Sequence, residues 1–113
     1  MEHVNALENR EVTEGDPNKV VQMKTDELSG DTYYFSEGQV LEYHRHPTGD
    51  QIFFVHEGEG DFFLDPGTEE KVSISPGSIV LAPKNVWHKV VNTGSGILVV
   101  SQATKQPAGM EKR

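Results

Sequence analysis

The stretch Gly38–Gly58, GQVLEYHRHPTGDQIFFVHEG, decides how the rest of the chain reads. Side chains alternate faces along a β-strand, so His44 and His46 share one face, with about 6.6 Å of strand rise between them. Both imidazoles can therefore reach one ion. Pro47, Thr48, Gly49 and Asp50 read as a chain reversal, and Gln51 opens a second strand, QIFFVHE. A third imidazole, His88, sits in Gly77–Asn92, GSIVLAPKNVWHKVVN. Neutral imidazole is the commonest metal ligand, and the three histidines point to a metal site.

Working outward, strand-like runs rich in β-formers alternate with Gly, Pro, Asn and Asp turns. They are Lys19–Thr25, Asp31–Ser36, Gln39–His46, Gln51–Glu57, Glu59–Leu64, Glu69–Ile74, Ser78–Ala82, Trp87–Val91 and Gly96–Gln102. Asp65-Pro66-Gly67 is the clearest hairpin turn. No 3.6-residue apolar period competes, so the reading is all-β, a sandwich or barrel rather than a parallel α/β sheet. One domain is expected over residues 19–103, preceded by a polar arm over 1–18 and followed by a frayed polar tail over 104–113.

Composition narrows the partners. The chain has 18 acidic and 10 basic residues, a formal charge of −8, which argues against nucleic acid or an anionic membrane as partner. With no cysteine there is neither a disulfide framework nor a thiolate ligand. The N-terminal residues lack a basic segment followed by an apolar run, and a cytoplasmic protein is expected.

The motifs resemble those of the cupins. Gly38, His44, His46, Gln51 and Gly58 fall at the spacing of the first cupin motif, and Gly77, Pro83, His88 and Asn92 at that of the second. Gln51 stands where the family usually has a ligand glutamate, and Asn85 where it has a glycine. The resemblance implies a double-stranded β-helix, or jelly-roll barrel. It also implies a divalent transition metal (Mn, Fe, Ni or Zn) held by His44, His46, His88 and the Gln51 amide oxygen. The alternative for Gln51 is a hydrogen bond to a ligand water. The run from His44 to Gln51 also resembles that of short bacterial cupins acting as manganese-dependent hydroxynitrile lyases, which bind metal through three histidines and a glutamine; here the run is one residue longer. Small cupins commonly dimerise with an exchanged N-terminal strand, here Lys19–Thr25.

Strand parity extends the reading to neighbours. Glu42, two residues before His44, is expected to face inward and serve as orienter or general base, unless it simply lies in solvent at the barrel mouth. Val40, Phe53, Val55 and Val90 are expected to wall the cavity, joined by Tyr33 and Phe35 from a strand whose faces the sequence does not assign. By the same parity His56 faces outward. The function implied is a metalloenzyme acting on a small organic molecule, by dioxygenase-like or by lyase or isomerase chemistry. A non-catalytic small-molecule binding or sensing module and a cupin that has lost its metal are the alternatives.

Overall fold

The computed structural model describes all 113 residues and contains ten strands with no α-helix. They are β1 (Asn18–Lys24), β2 (Leu28–Phe35), β3 (Val40–Arg45), β4 (Gln51–Glu57), β5 (Gly60–Asp65), β6 (Glu70–Ile74), β7 (Ile79–Ala82), β8 (Trp87–Asn92), β9 (Leu98–Lys105) and β10 (Glu111–Lys112). All pairings are antiparallel, in two five-stranded sheets ordered β1-β2-β9-β4-β7 and β10-β3-β8-β5-β6. This is the all-β jelly-roll architecture expected from the turn spacing.

Alternation builds the core. On β4 the buried residues are Gln51, Phe53 and Val55, while Ile52, Phe54 and His56 are exposed. Phe53 and Val55 join Tyr33, Phe35, Phe62, Ile74, Ala82, Val90, Leu98 and Val100 in one apolar cluster between the sheets. β2 is buried on both faces: Tyr33 and Phe35 enter that cluster, whereas the Tyr34 hydroxyl donates to the carbonyl of Ala6 in the arm. The arm is irregular but tied down. Gln39 Nε2 donates to the carbonyls of Thr13, Gly15 and Asp16, and Arg10 pairs with Glu57.

Two sequence expectations need correction here. Residues 104–113 are not a frayed tail. β9 runs to Lys105, Ala108 is buried, and β10 pairs with Arg45 and His44 of β3. The segment crosses the Pro47–Asp50 reversal so closely that a Cβ on Gly49 would stand 2.5 Å from the Lys105 carbonyl oxygen and 2.6 Å from the Ala108 Cβ. Only glycine fits that crossing. β1 pairs with β2 at one edge of its sheet.

The second correction concerns β3. Leu41 pairs with Val90 and His44 with His88, so three steps along β3 match two along β8. The extra residue is a bulge at Glu42–Tyr43, and it reverses the parity before it. Leu41, not Val40, packs against the core. Glu42 is exposed.

Candidate metal centre

β3, the residue after it, and β8 deliver the three imidazoles. His44 lies directly opposite His88 across the β3–β8 ladder. His46 follows β3, and its carbonyl accepts the amide of Asn85, which sits at φ 62° in the turn before β8. Asparagine tolerates that left-handed backbone, which explains how it replaces glycine there. Ring centroids are 4.2 Å apart for His44 and His88, 5.2 Å for His44 and His46, and 5.7 Å for His46 and His88. One ring nitrogen from each of the three lies within 4.8 Å of the others.

Hydrogen bonds set the tautomers. Nδ1 of His44 is 2.8 Å from the Glu42 carbonyl, Nδ1 of His46 is 2.7 Å from that of Gly109, and Nδ1 of His88 is 3.3 Å from that of Val86. A carbonyl only accepts, so each Nδ1 carries the proton and each Nε2 keeps a free lone pair. Burial lowers the pKa of all three rings. For His88 burial, then the His44 charge, push it down to about 3. For His44 burial outweighs the Glu42 hydrogen bond, and for His46 burial outweighs the bond to Gly109; in both the Lys19 charge adds to the lowering. The rings are thus neutral near neutral pH, the form that ligates.

Gln51, first in β4, is 1% exposed. Its Nε2 donates to Thr104 Oγ1 at 2.8 Å on β9, its cross-strand partner. That leaves Gln51 Oε1 buried without a partner, and His88 Nε2 is buried without one as well. An unpaired buried polar atom costs about 1–3 kcal/mol. Two such acceptors, an oxygen and an imidazole nitrogen, fit a cation with N and O ligands. The donor set suits the metal the sequence pattern implied.

The apolar shell is close. Phe53 lies with its ring centroid 5.6 Å from His88 and 4.9 Å from Phe62, and Phe62 stacks on His88 at 6.1 Å with planes 7° apart. Val55, Val90, Tyr33 and Phe35 belong to the same cluster. Val40 and Glu42 instead line the outside: a surface hollow of about 810 Å³ lies between the arm and the β2–β3 turn and contains none of the histidines. His56 is exposed, its Nε2 2.7 Å from Ser101 Oγ.

Sequence reasoning missed a polar wall on the inner face. Asp31 is 3% exposed and Gln102 4%, and Ser29 and Thr104 are also buried. Ser29 pairs with Thr104 and Asp31 with Gln102 across β2 and β9. Parity held the signal: Asp31 lies two residues before core Tyr33, and Gln102 two after core Val100. Burial, then the Asp31 charge, raise the Tyr33 phenol to about 12.

The cupin-domain family pattern matches residues 29–101, most of the chain and both histidine motifs. The chain belongs to the cupin family. Comparison with solved structures gives the same fold. A conserved protein with a double-stranded β-helix domain from Klebsiella pneumoniae subsp. pneumoniae superposes with a TM-score of 0.88 at 21% identity, over 96% of this chain and 94% of that one. KdgF from Halomonas sp. gives 0.76 at 24% identity, over 94% of each chain. Oxalate decarboxylase from Lactobacillus farciminis gives 0.71 at 17% identity, over 77% of this cupin and 27% of that chain. A sequence comparison with curated proteins finds no match. No helix of this cupin is long and apolar enough to cross a membrane.

Proposed function

We propose that this cupin is a metal-dependent enzyme acting on a small organic molecule inside the barrel. The observations that support it most are the three histidines with a ring nitrogen each within 4.8 Å of the others and two buried, partnerless acceptors, His88 Nε2 and Gln51 Oε1. These four residues would hold a divalent transition metal, Mn, Fe, Ni or Zn. When bound, such an ion supplies Lewis acidity toward a carbonyl or enolate oxygen, or redox chemistry with dioxygen.

The chain's own residues set the conditions. Three neutral imidazoles and a neutral amide would cancel none of a dipositive charge, which favours anionic or enolisable substrates. Phe53 and Phe62 against His88 keep water from that side of the site. The reaction belongs to the dioxygenase-like class, or to lyase or isomerase chemistry. Turnover screened under air and under argon separates the two. An inactive His88→Ala protein that has lost metal supports the reading, and full activity in that variant defeats it.

The alternative is a non-catalytic module that binds or senses a small molecule at the same site. The exposed position of Glu42 favours it, because that carboxylate lies in solvent rather than facing inward as the sequence suggested. We also propose a cytoplasmic homodimer in which β1 exchanges between copies. The edge position of β1 supports this, since it is bonded to β2 alone. A monomer by light scattering at micromolar concentration would remove it.

A further inference from the structure

We propose that Gln102 and Asp31 form a second subsite inside the barrel, which takes the hydroxyl of a short hydroxylated acid or carbonyl compound whose other end lies at the histidines. This rests on the metal-centre reading above and adds a substrate class to it.

The hydrogen bonding decides the polarity of the subsite. Asp31 Oδ1 accepts from Ser29 Oγ at 2.9 Å, and Asp31 Oδ2 accepts from Gln102 Nε2 at 2.9 Å. A carboxylate cannot donate, so the amide must turn its nitrogen toward Asp31, and this leaves Gln102 Oε1 free. That oxygen is buried and has no partner. The Ser29 hydroxyl and the Gln102 amide nitrogen are directed at Asp31, and the buried atom left without a partner is the Gln102 acceptor. A buried, unpaired acceptor beside a buried carboxylate favours a hydrogen-bond donor over an anion.

Position sets the size of the ligand. Gln102 and Thr104 are successive inward residues of β9, opposite Phe53 and Gln51 on β4. Two residues of strand separate them, about 6.6 Å, so the subsite stands roughly that far along the strand from the Gln51 anchor. A molecule with its acid or carbonyl oxygen at the histidines and a hydroxyl three or four carbons away spans the gap.

The test measures binding to Mn(II)-loaded protein by water-proton relaxation, with metal content determined for every sample. The probes are 3-hydroxypropionate against propionate and 4-hydroxybutyrate against butyrate. At least one hydroxy acid is expected to bind roughly tenfold more tightly than its deoxy partner, the effect of satisfying one buried acceptor. In Gln102→Leu, or in Gln102→Met if the first variant is unstable, the advantage should fall to about twofold or less with unchanged metal content. Equal binding within both pairs, or an advantage that survives loss of the Gln102 amide, overturns the proposal while leaving the metal centre intact. Wild-type protein that takes up no Mn(II) overturns both.

Discussion

His46 Nδ1 donates to the carbonyl of Gly109 at 2.7 Å, joining a motif histidine to a residue 63 positions later. The C-terminal segment therefore sets the tautomer of one imidazole of the candidate site. Thr48 Oγ1 donates to the Pro107 carbonyl at 2.7 Å and the Thr48 amide donates to that of Ala108, which fastens the segment just before the contact, while β10 pairs with β3 just after it.

Removing residues 106–113 should weaken Mn(II) or Zn(II) binding by about ten- to a hundredfold, the usual effect of losing a partner that orients a ligand. Arg113 lies over the Trp87 ring, 5.6 Å from its centroid, so truncation should also change the tryptophan emission. Calorimetry and fluorescence check both. Unchanged affinity would show that His46 does not depend on Gly109.

Gln51→Leu should lower metal affinity by at least about tenfold, because the partnerless oxygen is lost, while Gln51→Glu should raise it by adding a charge. Competition against a chromophoric chelator measures the order. Equal affinities in all three proteins would move the amide out of contact with the ion.

The two carboxylates should separate cleanly in stability. Glu42→Gln, an exposed change, is expected to stay within about 0.5 kcal/mol of wild type in urea unfolding. Asp31→Ala removes the acceptor for both Ser29 and Gln102, and should cost about 1–3 kcal/mol or more. The reverse order would mean that Asp31 does not hold the inner wall together.

Acid should destabilise the metal-free protein. The His88 pKa is lowered in the folded state to about 3 from 6.5, so between those values the unfolded chain binds the extra proton. This ring's contribution is complete above pH 6.5 and is lost as pH falls toward 3, with a slope of at most about 1.4 kcal/mol per pH unit. Denaturant midpoints measured from pH 7.5 to 4, for wild type and His88→Asn, isolate this ring's contribution. An equal slope in the variant would contradict it.

Much of the barrel was legible in local sequence. The β4 bounds follow from the apolar alternation of QIFFVHE, and the positive φ of Asn85 follows from its place in the turn before β8. What failed was non-local. The bulge at Glu42–Tyr43 arises from pairing β3 with β8, and no alternation within β3 reveals it; it displaced both Val40 and Glu42 from their expected face. The C-terminal segment reads as polar because backbone carbonyls, which have no letter in the sequence, do its anchoring. Asp31 and Gln102 read as edge residues of their strands until β2 and β9 are placed side by side.

The central claim is that four side chains from three places in the chain bind one ion. Elemental analysis of protein purified without chelator or metal-affinity resin tests it most directly, with Mn(II) titration of the same sample. The account predicts about one divalent transition metal bound per chain in the wild type and almost none in a His44→Ala/His88→Ala protein that keeps its fold. A folded wild type that neither retains nor takes up such an ion would contradict it.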